Sequence, residues 1–385
     1  MLLRPYGIVI EGKLELGLEL EVEDGVIRDV LPHTGIPDDF VVSAAFVNAH
    51  SHLEYRGLQG RVPFQGGYWD WIRDLTQLKQ EQNIEDIAQD CLQGAVENRA
   101  TGVAVIGEHS DRPYSGAAMA EAGLRGVIYQ EIITFFERDS RVEKLSRVGN
   151  QAEVNGNAFS GPVLRAPHAY YTADRQTLAE VGASGEPFSI HVAETELESL
   201  FTRSGISEIA EFYRRFGVPF EPTGRSVVDS LDQLGLVRPG AQFVHCCALE
   251  GGEAELLGER GVSVAHCPRS NRALGCPDAP VRELLNAGVH VGLGLDSAAS
   301  SGPIDMFAEM REALAAGSRR GEPLMPQEVW SMATTMGARS VPGFDFPKWD
   351  ASLGSSAPLI KIHLRAVQTV EDLIHRGLPE LVEWV

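Results

Sequence analysis

Residues 46–57 read FVNAHSHLEYRG. An apolar run ends here in two imidazoles one residue apart, His50 and His52, where extended chain hands over to loop. In extended backbone, residues i and i+2 point the same way. Both rings can therefore reach one metal ion, and neutral imidazole is a common ligand for zinc and similar ions. An isolated HxH is as readily a pair of solvated loop histidines. The ends of the other apolar runs decide between the two readings.

The opening stretch belongs to the first of eight strand-like runs, VVSAAFVNAH (41–50). The others are GVAVIGEH (102–109), GVIYQEII (126–133), PVLRAPHAYY (162–171), PFSIHVAE (187–194), QFVHCCALE (242–250), VSVAHCPRSN (262–271) and VHVGLGLDS (289–297). Amphipathic stretches lie between them, among them IEDIAQDCLQGAVENRA (84–100), DRQTLAEVGAS (174–184), SGISEIAEFYRRF (204–216) and PVRELLNAG (280–288). Apolar strands alternating with helices imply a parallel sheet covered on both faces. Eight such units imply an α/β fold of the (β/α)8, TIM-like barrel type, with an open doubly wound sheet as the alternative. The run ends favour the barrel. They carry His50 and His52, His109, Glu131, His168, His191 with Glu194, His245, His266 and Asp296. Strand C-termini of a barrel meet at one face, so these scattered residues would share one pocket.

The flanks read differently. GIVIEGKLELGLELEVEDGVIRDVL (7–31) alternates, with a turn at Glu23-Asp24-Gly25, and predicts a small antiparallel meander. FDFPKWDASLGSSAPLIKIHLRAV (344–367) reads as short strands and turns. Residues 1–40 and 344–385 are expected to form a small accessory β-sandwich around a barrel of residues 41–343.

The chain has 385 residues and a formal net charge of −21. Such an acidic surface repels phosphate backbones and anionic bilayers, so neither nucleic acid nor membrane is an expected partner. The start, MLLRPYGIVIEGK, lacks the features of a signal peptide. The five cysteines form no CxxC pair, which suits a reducing cytoplasm. A homodimer is left open.

Three companions to the HxH pair carry the chemistry. His191 is followed three residues on by Glu194, which suits a ligand beside a proton-transferring carboxylate. His245 and Asp296 each end a run of their own. Each has a bland reading as a surface pair, a core histidine or an N-cap. The ordered set HxH, HxxE, H and D, each at a strand end, does not.

FVNAHSHLE, IHVAETE, FVHCCALE, VAHCPRSN and LGLDSAAS resemble the signature segments of the amidohydrolase superfamily, in its cytosine deaminase, adenosyl-nucleoside deaminase and chlorohydrolase-like branch. The resemblance implies a metal-centred barrel in which His50, His52, His191 and Asp296 are ligands. It implies that Glu194 and His245 are the catalytic pair, with Asp296 also accepting a proton. His168, in RAPHAYYT, matches a substrate-contacting histidine. Binuclear relatives bridge their ions with a lysine at the fourth strand. This chain's lysines, at 13, 79, 144, 348 and 361, all lie outside strands four to eight, so one divalent ion is expected. Zinc is the first choice, and iron or manganese would also accept the set.

Such an ion lowers the pKa of bound water towards ~7, so that hydroxide forms at neutral pH. Glu194 can then protonate the ring nitrogen beside the attacked carbon, and collapse of the tetrahedral species expels ammonia. The HxE and PCxxC signature of the other zinc deaminases is absent.

The loop after the first strand carries Phe64, Tyr68, Trp69 and Trp71, which suits a flat heteroaromatic substrate. Trp71 is expected to face it. Glu54, with the aromatic loop and RAPHAYYT, resembles the aminodeoxyfutalosine deaminases of the alternative menaquinone pathway. That resemblance implies conversion of 6-amino-6-deoxyfutalosine to futalosine and ammonia. Glu54 would accept ribose hydroxyls or hold a proton network, and Arg61, Arg165 or Arg203 would meet the substrate carboxylate. Rival readings are a chlorohydrolase, another aminopurine or aminopyrimidine deaminase, and an inactive barrel serving as a binding protein.

Overall fold

A computed structural model describes residues 1–64, 67–135, 140–346 and 348–385. Residues 65–66 of the aromatic loop and 347 of the tail lie outside the described residues.

The alternating N-terminal stretch forms β1 (Leu2–Leu3), β2 (Pro5–Ile10), β3 (Lys13–Leu16), β4 (Leu18–Glu23), β5 (Val26–Pro32) and β6 (Asp38–Ala44). Two hairpins turn through left-handed pairs, Glu11-Gly12 at φ 49° and 74° and Asp24-Gly25 at φ 50° and 73°. Consecutive positive φ angles match the twist of the flanking strands. The hairpins do not form the single meander read from the sequence. β4 and β5 join β1 in one sheet, while β2 and β3 join another of order Val382–Trp384, Leu359–Ile362, β6, β2, β3. The chain crosses between them at Gly17, φ 75°. The two sheets share an apolar core, with Ile8, Val42 and Leu359 from one meeting Leu3, Leu20, Val22 and Ile27 from the other. Strands from both chain ends thus pair in one sheet.

The run 41–50 is two strands, not one. It divides at Ala45, whose carbonyl accepts the indole N–H of Trp349 at 2.7 Å. Its first half is β6; its second begins β7 (Phe46–Ser51). There follow β8 (Val103–Ser110), β9 (Arg125–Ile132), β10 (Val163–Pro167), β11 (Phe188–Val192), β12 (Ala241–His245), β13 (Ser263–His266) and β14 (Val291–Leu293). β7 to β10 pair in parallel in sequence order, and so do β11 to β14. A parallel bridge at Ala169–His191 joins β10 to β11, and one at Ser51–Asp296 joins β14 back to β7. This mixed α/β arrangement of eight parallel strands is consistent with the barrel expected. Every residue of β7 and β8 is buried, as strands covered on both faces must be, which is why they read as apolar runs that turn polar toward their ends. Asn48 reinforces the closing seam: its Oδ1 accepts the Leu295 N–H at 2.8 Å and its Nδ2 donates to Asn98 at 3.1 Å.

The helix read over 84–100 forms as Ile84–Ala100, with the Asn83 side chain accepting the Asp86 N–H as N-cap. The stretch 204–216 contains Glu208–Arg215. It is preceded by Glu196–Ser204, which stops at Gly205 in the left-handed conformation favoured after a helix C-terminus. Among the described residues no helix is long and apolar enough to cross a membrane.

Candidate active site

The strand ends bring the expected ligands together. Donor atoms of His50, His52 and His191 all lie within 4.8 Å of one another. Asp296 Oδ1 stands 3.5 Å from His50 Nε2 and 3.8 Å from His52 Nε2. Tetrahedral ligands at 2.0–2.2 Å from a shared ion stand about 3.3–3.6 Å apart, so the spacing is close to that of a metal site. The rings are also oriented for it. His52 Nδ1 lies 3.1 Å from the His109 carbonyl, and His191 Nδ1 lies 2.8 Å from the His168 carbonyl. A carbonyl only accepts, so each Nδ1 carries its proton and each Nε2 keeps a bare lone pair. His50 Nε2 is buried and lacks any hydrogen-bond partner. Burial first, then repulsion among the rings, holds all three imidazoles below their usual range, His191 at about 4. Neutral imidazoles with aligned lone pairs fit a divalent cation.

Asp296 follows β14 in the left-handed region at φ 51°. Ser270 Oγ donates to its Oδ2 at 2.5 Å and Ser300 Oγ at 3.1 Å, which leaves Oδ1 for the ion. Burial pushes its carboxyl up, but His52, His245 and Ser270 outweigh burial and hold it below the usual carboxylate range.

The proposed catalytic pair sits beside this cluster. Glu194 Oε1 lies 3.7 Å from His245 Nε2, and Tyr68 OH donates to Glu194 Oε2 at 2.5 Å. Burial raises the Glu194 carboxyl, while His245 and Tyr68 pull the other way. His245 Nδ1 faces Asn271 Oδ1 at 2.8 Å, so its Nε2 turns toward Glu194. Glu198, one turn further on, accepts the backbone N–H groups of Ala193 and Glu194 at 3.1 and 2.7 Å and fixes the strand end. Ala193, His245 and Cys246 all have positive φ, at 50°, 73° and 51°. Such conformations cost about 1–3 kcal/mol each and collect where a side chain must be aimed. Tyr68→Phe removes a hydrogen bond to a carboxylate, worth ~1.5–3 kcal/mol. It should lower kcat by roughly 10- to 100-fold with an unchanged circular dichroism spectrum.

Other expected residues occupy the surroundings. His168 follows β10, pairs through Nδ1 with Thr172 Oγ1 at 2.9 Å, and lies 4.6 Å, ring to ring, from His191. Glu131, His168 and His191 form a second group with metal-ligand spacing. It shares His191, whose Nδ1 is engaged and whose single free nitrogen cannot serve two ions. Both oxygens of Glu131 are buried without a partner.

Glu54 is committed elsewhere. Ser110 Oγ donates to it at 2.8 Å and Lys79 Nζ lies 3.2 Å away. Burial, opposed by Lys79, puts its carboxyl at about 7. Lys79 also contacts Asp111 at 2.9 Å and Tyr55 OH at 2.7 Å, and Tyr55 stacks on His52. Of the two roles considered for Glu54, this placement suits the network behind a ligand. Trp71, expected over the substrate, is packed among Leu58, Val62, Leu75 and Leu274. Tyr68 is the residue of that loop that reaches Glu194. Trp69 packs against Tyr171 and Phe212. Arg203 pairs with Glu250, Arg165 is an exposed residue of β10, and Arg61 lines a recess with Glu81, Asp86 and Asp90.

The sequence reading passed over Lys79, Asp111, Glu198 and the anchoring role of His109. Ser270 and Asn271 were in view in VAHCPRSN, but their partners, Asp296 and His245, lie on other strands.

Residues 41–342 match the Amidohydrolase family. A 5-methylthioadenosine/S-adenosylhomocysteine deaminase from Natronomonas pharaonis is 30% identical over 352 residues, covering 87% of this chain and 76% of that protein. A zinc-bound adenosine deaminase from Xanthomonas campestris superimposes with a TM-score of 0.83 at 24% identity, over 99% of this chain and 90% of that one. The aminofutalosine deaminase of Helicobacter pylori does so at 0.77 and 18% identity, over 99% and 97%. The matched segment contains every strand end that contributes to the cluster, and the chain belongs to the amidohydrolase family.

Proposed function

We propose that the chain is a metal-dependent hydrolytic deaminase of an adenine-type nucleoside. In this reading His50, His52, His191 and Asp296 hold one divalent ion, first zinc, at the mouth of a (β/α)8 barrel whose first strand is β7. The barrel, expected over residues 41–343, then begins at Phe46, and residues 41–44 go with the accessory β-sandwich of residues 1–40 and 344–385. The observation that carries the reading is the convergence of bare Nε2 atoms and Asp296 Oδ1 beside a buried Glu194 that is held by Tyr68 and faced by His245. A bound ion would acidify a water molecule. Asp296 Oδ1 accepts the proton released as that water attacks, and His245 Nε2 steadies the developing charge. Glu194, made less acidic by burial, delivers a proton to the ring nitrogen next to the attacked carbon. Ammonia leaves. The names of the relatives from Natronomonas pharaonis and Xanthomonas campestris support an adenine nucleoside.

Within that class the first reading is 6-amino-6-deoxyfutalosine, with a role in menaquinone synthesis; the name of the Helicobacter pylori neighbour supports it, whereas Trp69 and Trp71 are packed against protein and do not. A second reading is a thioether adenosine. It is favoured by Arg165 being exposed and Arg203 being paired with Glu250, and by the name of the relative at 30% identity. Ammonia release by metal-loaded protein should be measured with 6-amino-6-deoxyfutalosine, 5′-methylthioadenosine, S-adenosylhomocysteine, adenosine and an aminochlorotriazine. Release from none of the nucleosides, with chloride from the triazine, would replace deamination with dechlorination.

His168 and Glu131 are assigned to the substrate, because a buried carboxyl without a partner is a group left for a ligand. Glu131→Leu should raise KM by ~10- to 100-fold, the worth of one hydrogen bond to such a group, and leave metal content unchanged. Steady-state kinetics with parallel metal analysis would show it.

A further inference from the structure

His109 reads from the sequence as a strand-end histidine with no special task. The structure places it beneath the HxH pair, 1% exposed, where it touches both members. Its backbone carbonyl faces His52 Nδ1 at 3.1 Å, and its own Nδ1 lies 3.0 Å from His50 Nδ1. We propose that His109 is a positioning residue that sets the tautomer of His50 and so makes its Nε2 available to the metal. The proposal rests on the reading of His50 as a ligand.

Two imidazole nitrogens in hydrogen-bond contact share one proton, and there are two ways to place it. If His109 Nδ1 holds the proton, His50 must carry its own on Nε2. That nitrogen faces Asp296 Oδ1 at 3.5 Å and could then bind no ion. If His50 Nδ1 holds the proton, its Nε2 is bare, and His109 carries its remaining proton on the buried Nε2. Only the second arrangement accepts a cation. Metal binding therefore fixes two tautomers at once, and the proton between the rings marks which state the site is in. Ligand histidines usually donate to a carboxylate, a carbonyl or water. His52 and His191 follow that rule through carbonyls, whereas His50 relies on a second imidazole.

The role needs an acceptor at this position, not a histidine as such. Asparagine supplies one, since its side-chain oxygen accepts; leucine does not. Zinc affinity should be measured by competition with a chromophoric chelator for the wild type, His109→Leu and His109→Asn. Losing such a partner costs ~10- to 100-fold in metal affinity. His109→Leu should show that loss and His109→Asn should recover most of it. Wild-type affinity in His109→Leu would overturn the proposal, and so would failure of a folded His109→Asn to recover. Should the leucine variant not fold, the wild type still decides. Two-bond proton–nitrogen spectra of zinc-loaded protein with labelled histidine should show His50 protonated on Nδ1 and His109 on Nε2. A zinc-loaded His109 protonated on Nδ1 would overturn it. Absence of zinc binding by the wild type would instead remove the metal reading beneath it.

Discussion

Replacing Glu194 with glutamine will lower ammonia release by ~10²- to 10⁴-fold, the range for loss of one positioned proton-transfer group, while bound metal stays at the wild-type level. The expectation follows from where the two oxygens point. Oε1 faces His245 Nε2 at 3.7 Å and Oε2 accepts from Tyr68 at 2.5 Å. The cluster of His50, His52 and His191 does not include it. Glutamine has the same shape and its oxygen can still accept from Tyr68, so the site should stay assembled. The local backbone should not move either, because it is Glu198 that accepts the N–H groups of Ala193 and Glu194. What glutamine cannot do is carry a proton to the ring. Turnover by coupled ammonia assay, beside metal content by elemental analysis, tests both halves. Wild-type turnover would move proton delivery to another group, and lost metal would show that Glu194 supports the ion after all.

The sequence was most legible where a signal is local. Parallel strands buried on both faces read as mainly apolar runs, so the Val103–Ile106 and Val127–Tyr129 stretches of β8 and β9 could be read directly, and Ile84–Ala100 carried an asparagine cap and helical periodicity. The proposed ligands were legible as candidates because each ends such a run. The run 41–50 misled because both of its halves are apolar and Ala45 gives no sign of a break. One partner of β6 is Leu359–Ile362, more than three hundred residues away, and no local pattern reports it. Trp71 misled for a related reason. It lies on one stripe of the helix Tyr68–Glu81 with Leu75 and Leu78, and that stripe packs on Leu58 and Val62. Tyr68, at the start of the same helix, reaches a carboxylate 126 residues further along the chain. Contacts between distant segments also hide Ser270 and Asn271, whose hydroxyl and amide fix Asp296 and His245 from a neighbouring strand end. What the sequence concealed was therefore the scaffolding of the proposed ligands, which depends on adjacency in space.

Asp296→Asn should differ from Glu194→Gln in kind: it should lose both metal and activity. Asp296 stands at the seam where Ser51 bridges to it, with its N–H donated to the His50 carbonyl at 2.9 Å and its carbonyl accepting the His52 N–H at 3.1 Å. Those backbone bonds survive the substitution, and Ser270 can still donate to an amide oxygen, so the fold should hold. The carboxylate itself does two things an amide cannot. It is the one anion among the four proposed ligands, and the three others are neutral imidazoles. It also stays ionised, its carboxyl held below the usual range despite burial and with Ser270 donating to Oδ2, so it can accept a proton from water. The loss of proton acceptance alone is worth ~10²- to 10⁴-fold in rate, and the weaker ion adds to it. Raising the metal concentration should restore occupancy but not turnover, because an amide still cannot take the proton. Recovery of turnover together with occupancy would confine Asp296 to holding the ion and place the proton acceptor elsewhere, with His245, 2% exposed and aimed at the same space, as the next residue to change.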